Sequence, residues 1–121
     1  MLPAEWNGCY ICGNSNFNIP LLFDTGASIT TICADYYQIL GLNSWDEGER
    51  TITTGVGGEI EAYLYSFTFE ISGKRITAPV QLIQMDPHPL WGGLLGREAV
   101  FREFGFGFWE STKELYITSD P

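Results

Sequence analysis

From Glu59 to Ile71 the chain alternates in character, and Tyr63, Tyr65, Phe67, Phe69 and Ile71 all fall on one parity. Successive residues of an extended chain point to opposite faces, so this run predicts one long strand with a strongly apolar face. A face of that kind must be buried against other elements, which points the chain toward a sheet-built core. Ser72-Gly73-Lys74 turns the run into a partner strand, Arg75 to Ile83. Upstream, Thr51-Ile52-Thr53-Thr54 enters the same run through Gly55-Val56-Gly57-Gly58, and the two flanks predict a hairpin of unusual length.

The remaining segments agree with a β fold. Tyr10 to Cys12, a polar turn at Gly13-Asn14-Ser15-Asn16, and Phe17 to Phe23 predict a first hairpin. Ile29 to Cys33 is β-branched and predicts a strand, and Ala34 to Leu40 predicts a short helix stopped by Gly41. Arg97 to Phe104, apolar at Val100, Phe101 and Phe104 with charges between, predicts a second, amphipathic one. Gly105 to Trp109 and Glu114 to Thr118, joined by Glu110-Ser111-Thr112-Lys113, predict a terminal hairpin. At 121 residues the chain is long enough for one core and too short for two catalytic lobes. The expectation is a single domain over residues 1–121, mainly β, with one or two short helices.

A formal net charge of −9 argues against nucleic acid and anionic membrane surfaces as partners, because phosphate binding needs clustered Lys and Arg. No segment approaches membrane-spanning length, and Met1 to Trp6 has neither a basic region nor an apolar stretch of signal length. A cytoplasmic location is expected. Cys9, Cys12 and Cys33 form no disulfide framework. With His88 they could make four zinc ligands, yet strand alternation turns Cys9 and Cys12 to opposite faces and no second Cys-x-x-Cys exists. They are read as small apolar residues of a reducing compartment, and no metal or cofactor is expected.

Asp24-Thr25-Gly26 follows the apolar run Ile19 to Phe23 and precedes Ala27-Ser28. A carboxylate on a glycine turn at the end of a buried strand is expected to be poorly solvated, the setting an acid–base catalyst needs. The chain offers one such triplet, so a second catalytic carboxylate must come from a second copy of the chain. Asp and Gly are also ordinary turn formers, and alone the triplet says little. Gly55-Val56-Gly57-Gly58 has more glycine than a tight turn needs, which fits a mobile flap that closes over substrate and excludes water. Gly93-Leu94-Leu95-Gly96-Arg97 repeats the pattern of two apolar residues before a glycine seen at Leu22-Phe23 with Gly26, a sign of two similar halves.

Taken in order, Leu21-Leu22-Phe23-Asp24-Thr25-Gly26-Ala27-Ser28, the glycine tip 55–58 and Leu94-Leu95-Gly96-Arg97 resemble the retropepsins, the retroviral and retroviral-like aspartic proteases. The resemblance covers Tyr10 to Ile117. It implies a closed β-barrel of six to seven strands, dimeric about a two-fold axis, with one Asp-Thr-Gly per subunit at the interface. Two departures stand out. Ser28 replaces the acid that in many viral members pairs with the arginine matching Arg97, which leaves Arg97 in want of a partner. The terminal hairpin 106–118 is longer than the viral end strands, so it is expected to form much of the dimer seam.

The resemblance further implies a homodimeric endopeptidase in which two Asp24 carboxylates activate a water, without a covalent intermediate. Thr25 would hydrogen-bond across the dimer beneath them, and Gly26 would let the substrate backbone approach. Ala27, Ser28, Thr31, Thr53, Gly55, Val56, Gly57, Pro89, Trp91 and Leu94 would line a largely apolar cleft for extended peptides with hydrophobic residues about the scissile bond. The competing reading is the same fold kept as an inactive dimerisation or peptide-binding module. His88 has no nucleophile suggested beside it and is read as a loop residue.

Overall fold

The computed structural model of the protein describes residues 2–4, 9–12, 18–55, 57–86 and 88–120. Ten strands dominate the described residues: β1 Leu2–Ala4, β2 Cys9–Cys12, β3 Asn18–Phe23, β4 Thr30–Cys33, β5 Glu49–Gly55, β6 Gly58–Ile71, β7 Lys74–Ile83, β8 Gly93–Leu95, β9 Gly105–Trp109 and β10 Glu114–Thr118. Seven form one sheet in the order β2-β3-β8-β4-β7-β6-β5, and β1-β10-β9 form a second, smaller one. The large sheet curls into a half-barrel that brings β2 against β6. No helix among the described residues is long and apolar enough to cross a membrane.

The long alternating run is the 14-residue strand β6. Phe69 and Ile71 are fully buried, and Tyr65 stacks on Phe67 with ring centroids 5.3 Å apart. The Tyr65 hydroxyl donates to the Trp45 carbonyl at 2.6 Å and accepts from Gly48 N at 2.9 Å, which pins the loop before β5. The turn into β7 has Ser72 at φ 49° and Gly73 at φ 81°. Positive φ at both central residues gives the two-residue connection whose twist matches the strands it joins. Along β7, Ile76, Ala78, Val80 and Leu82 point into the core, where Ile19, Leu21, Ile32 and Leu95 meet them.

The first hairpin is present as the antiparallel pair of β2 with β3, and its expected turn at Gly13 to Asn16 lies outside the described residues. The terminal hairpin is also present, β10 pairing with β9 from Glu114↔Trp109 to Thr118↔Gly105. The Tyr116 hydroxyl donates to the Glu114 carboxylate, and this bond holds Glu114 below the usual carboxylate range.

The expected helices are replaced by 3-10 turns. Ala34–Tyr36 is one such turn, and the chain then runs through further turns to Gly41 at φ 84°, whose N–H reaches the Gln38 carbonyl. At residues 97–104 only Phe101–Glu103 is helical, and it too is 3-10. Ala99 sits at φ 63°, a left-handed conformation that breaks a helical ladder. Phe101 stacks on Phe23, 5.0 Å between centroids and 3° between planes, so aromatic packing onto β3 overrides the local helical pattern.

Strand β8 lies between β3 and β4, parallel to the first and antiparallel to the second. Glycine makes this insertion possible. A Cβ on Gly93 would stand 2.0 Å from the Thr31 carbonyl oxygen and 2.8 Å from Ile32 Cα. Gly93→Ala is therefore expected to destabilise the protein by about 3 kcal/mol, since overpacking against backbone cannot relax by side-chain rotation. Urea denaturation monitored by tryptophan fluorescence measures it.

Candidate active site

Leu22 and Phe23 of β3 pair in parallel with Leu94 and Leu95 of β8. The two similar motifs noted in the sequence thus lie side by side in register, and the Asp24 N–H extends the ladder to the Leu95 carbonyl at 3.3 Å. Where β8 goes on into Gly96, β3 turns. Ala27 N–H closes that turn on the Asp24 carbonyl at 3.1 Å, and Gly26 N–H donates to Asp24 Oδ1 at 2.9 Å. A Cβ on Gly26 would come within 3.2 Å of that same oxygen. The turn therefore holds the carboxylate by a backbone amide, and a glycine leaves it room.

The far side of the loop is braced by backbone. Arg97 N–H donates to the Ala27 carbonyl at 3.0 Å and Glu98 N–H to the Ser28 carbonyl at 2.8 Å. Gly96 N–H donates to the buried Thr30 hydroxyl at 3.0 Å. Gly96 is required for this approach, because a Cβ there would fall 2.3 Å from the Ile29 carbonyl carbon.

Asp24 itself is half-buried, and Thr25 and Gly26 are exposed. This corrects the expectation of a poorly solvated carboxylate: the turn carries Asp24 out of the end of β3 to the surface of the chain. Thr25 shares a depression with Leu22, Phe23, Phe108 and Leu115, and Phe108 and Trp109 beside it are 60% and 54% exposed. Strand β9, which carries both aromatics, is an edge of its sheet. Arg97 is exposed and forms no ion pair with any described residue.

The other candidate residues fall into three groups. Ala27, half-buried, and Ser28, exposed, belong to the Asp24 loop. Leu22, Leu94, Thr31, Gln81 and Leu64 are successive cross-strand partners over β3, β8, β4, β7 and β6, so they share one face of the curled sheet. Thr31 and Gln81 are buried on that face and Leu94 is half-buried. Thr53 joins it from β5, for Gln81 Nε2 donates to Thr31 Oγ1 at 2.8 Å and to Thr53 Oγ1 at 3.3 Å. The hairpin of β5 and β6 thus arches over the face that carries Leu94. At its tip Gly55 pairs with Gly58, whose φ of 104° calls for glycine; a Cβ on Gly55 or Gly57 would meet nothing within 4 Å. Val56 lies outside the described residues.

Pro89 and Trp91 form the third group, in the loop that leads into β8. Trp91 stacks on His88 at 3.5 Å between centroids and 7° between planes, and Leu90 N–H donates to His88 Nδ1 at 3.0 Å. Among the described residues no hydrogen bond or ring contact ties this loop to the Asp24 turn. Cys33 is buried, its thiol donating to the Met85 carbonyl at 3.4 Å. Two residues escaped the sequence reading. Gln81 falls on the solvent parity of β7, and nothing in its spacing marks it as buried. Phe108 was legible only as one of the aromatics of a terminal hairpin.

The aspartyl protease family matches residues 3–99 of this chain. Among solved structures, a retropepsin-like aspartic protease from Rickettsia conorii superposes with a TM-score of 0.68 at 24% identity, over 90% of this chain and 86% of its own. The EIAV protease, solved with the inhibitor HBY-793, superposes with a TM-score of 0.56 at 23% identity, over 73% of this chain and 78% of its own. These likenesses show that the fold is retropepsin-like. No curated protein matches the chain.

Thr30→Val keeps the shape of the side chain but strands the Gly96 N–H in the interior. We expect a loss of about 2 kcal/mol, the cost of an unpaired buried donor, read from the shift of the urea midpoint at unchanged slope.

Proposed function

The chain belongs to the aspartyl protease family, and we propose that it is an endopeptidase active only as a pair of identical chains, with residues 1–121 as one protease domain. The observation that carries this reading is the single Asp-Thr-Gly turn, held by backbone, with its threonine exposed beside an apolar depression and the exposed Phe108 and Trp109. A surface of that make-up suits a second copy, and one related by a two-fold axis would set a second Asp24 against the first.

Two carboxylates about 3 Å apart cannot both ionise comfortably and share one proton, the split titration known for aspartic-protease dyads. The resulting acidities belong to the pair, not to either residue. The ionised Asp24 takes a proton from a water held between the two. The oxygen of that water bonds to the peptide carbonyl carbon while the protonated Asp24 gives its proton to the carbonyl oxygen. Collapse of the tetrahedral intermediate breaks the C–N bond, and the amine leaves with the proton of the carboxyl pair. One hydroxyl of the intermediate meanwhile gives its proton to the other carboxylate and becomes the new carbonyl, which restores the singly protonated dyad. Thr25 steadies the pair across the interface, and Gly26 leaves space for the substrate backbone.

An extended peptide would lie along the face that bears Leu94 beneath the β5–β6 hairpin, adding its backbone to the hairpin as a further strand. Ala27, Ser28, Gly55, Val56 and Gly57 would meet it, with Pro89 and Trp91 at the cleft margin. The apolar members favour bulky hydrophobic residues on both sides of the scissile bond. We place the enzyme in the cytoplasm.

Asp24→Asn is expected to lower peptide cleavage by on the order of a thousand-fold or more, the loss of acid–base chemistry, while leaving association intact. Peptide binding without cleavage at any pH from acidic to neutral, by the unaltered chain, would instead identify a binding module. Phe108→Asp should weaken the dimer about ten-fold or more, as removal of a buried aromatic anchor does. Sedimentation over a range of concentrations reads this, and activity per chain should fall on dilution in parallel. With a charge of −9 on each chain, added salt should tighten association.

A further inference from the structure

We infer that Gln81 is a positioning residue that tethers the β5–β6 hairpin to the floor of the cleft, an inference that rests on the peptidase reading of this site. Both N–H bonds of its amide are used. One goes to Thr31 on β4, at 2.8 Å, and the other to Thr53 on β5, at 3.3 Å. Thr31 passes the connection on, its hydroxyl donating to the Ile29 carbonyl at 3.1 Å. Ile29 closes the loop that begins at Asp24, where a Cβ on Gly96 would touch it. A chain of hydrogen bonds thus runs from the hairpin to the segment that carries the carboxylate.

Three observations give the tether its weight. Thr53 and Gln81 lie on strands separated by β6, so the bond crosses the curl of the sheet and reports how far the hairpin bends inward. Pairing of β6 with β7 ends at Ala62↔Ile83, and beyond it β5 and β6 pair with each other from Ile52↔Glu61 to Gly55↔Gly58. Among the described residues, no other side-chain hydrogen bond joins residues 51–60 to the rest of the fold. Gln81 is 8% exposed, so water competes weakly for its amide. A hairpin anchored on one flank, with open glycines at its tip, keeps a defined rest position and a free end. Gln81 sets that position, and so the height of the cleft that the peptide enters.

The test compares the unaltered chain with Gln81→Met, Thr53→Val and the double variant. Methionine fills the glutamine's space without its donors, and valine replaces threonine without the hydroxyl. Hydrogen exchange of the hairpin amides 51–60 is measured on free protein. KM and kcat are measured with a fluorogenic peptide bearing bulky hydrophobic residues on both sides of its scissile bond. Each single variant should speed exchange and raise KM by about five-fold, the worth of one ordinary hydrogen bond, with kcat changed by less than about two-fold. The double variant should be no worse than Gln81→Met, because both substitutions remove one shared bond. Unchanged exchange and KM in Gln81→Met would overturn the tether. So would losses that multiply in the double variant, or equal changes in kcat and KM that follow a fall in thermal stability. Should the unaltered chain cleave no peptide, the peptidase reading fails, and the exchange pattern alone still decides for or against the tether.

Discussion

Close backbone contact between β8 and the loop that follows β3 is the constraint on which the candidate site depends. Gly93 and Gly96 let main chain run against main chain at distances that any Cβ would forbid. Amide groups of residues 96–98 then reach the Thr30 hydroxyl and the Ala27 and Ser28 carbonyls. A loop held by its own backbone in this way keeps its shape whatever the side chains on its outer surface do. That is the condition for placing a carboxylate reproducibly, because a site on a loose loop loses its geometry before it loses its residues.

The same arrangement exposes what it fixes. Asp24 emerges half-buried with Thr25 exposed beside it, and the strand next in space, β9, offers Phe108 and Trp109 to solvent. In a chain with 15 acidic and 6 basic residues, the apolar ground beside the turn is where Phe108 and Trp109 are exposed together. Association through it would remove water from the carboxylates and from the aromatics in one event. Low dielectric surroundings strengthen the interactions that make two neighbouring acids share a proton. On the proposed reading, folding and chemistry would be divided between levels: the single chain shapes the turn, and a pair of chains would create its reactivity.

Much of this architecture was legible in the residues. The alternation from Tyr63 to Ile71 announced β6, the Ser72-Gly73 turn announced its partner, and the likeness of Leu22-Phe23 to Leu94-Leu95 became a parallel pairing in register. Other features were hidden for identifiable reasons. Residues 97–104 have a helical pattern, yet Ala99 is left-handed and Phe101 stacks on Phe23, a partner that the local pattern does not name. Gln81 shares the solvent-facing parity of Thr77, and only the arching of β5 over the sheet covers it.

Local chemistry by itself determined the strands, their turns and the acid at the end of β3. Alternation, glycine and β-branching act over a few residues and are written directly in the order of the chain. Tertiary structure alone decided how deeply Asp24 is covered, which hydroxyls Gln81 reaches and which aromatics remain outside. Those outcomes depend on which segments curl over which others, and such contacts join residues dozens of positions apart whose types carry no mark of their eventual neighbours.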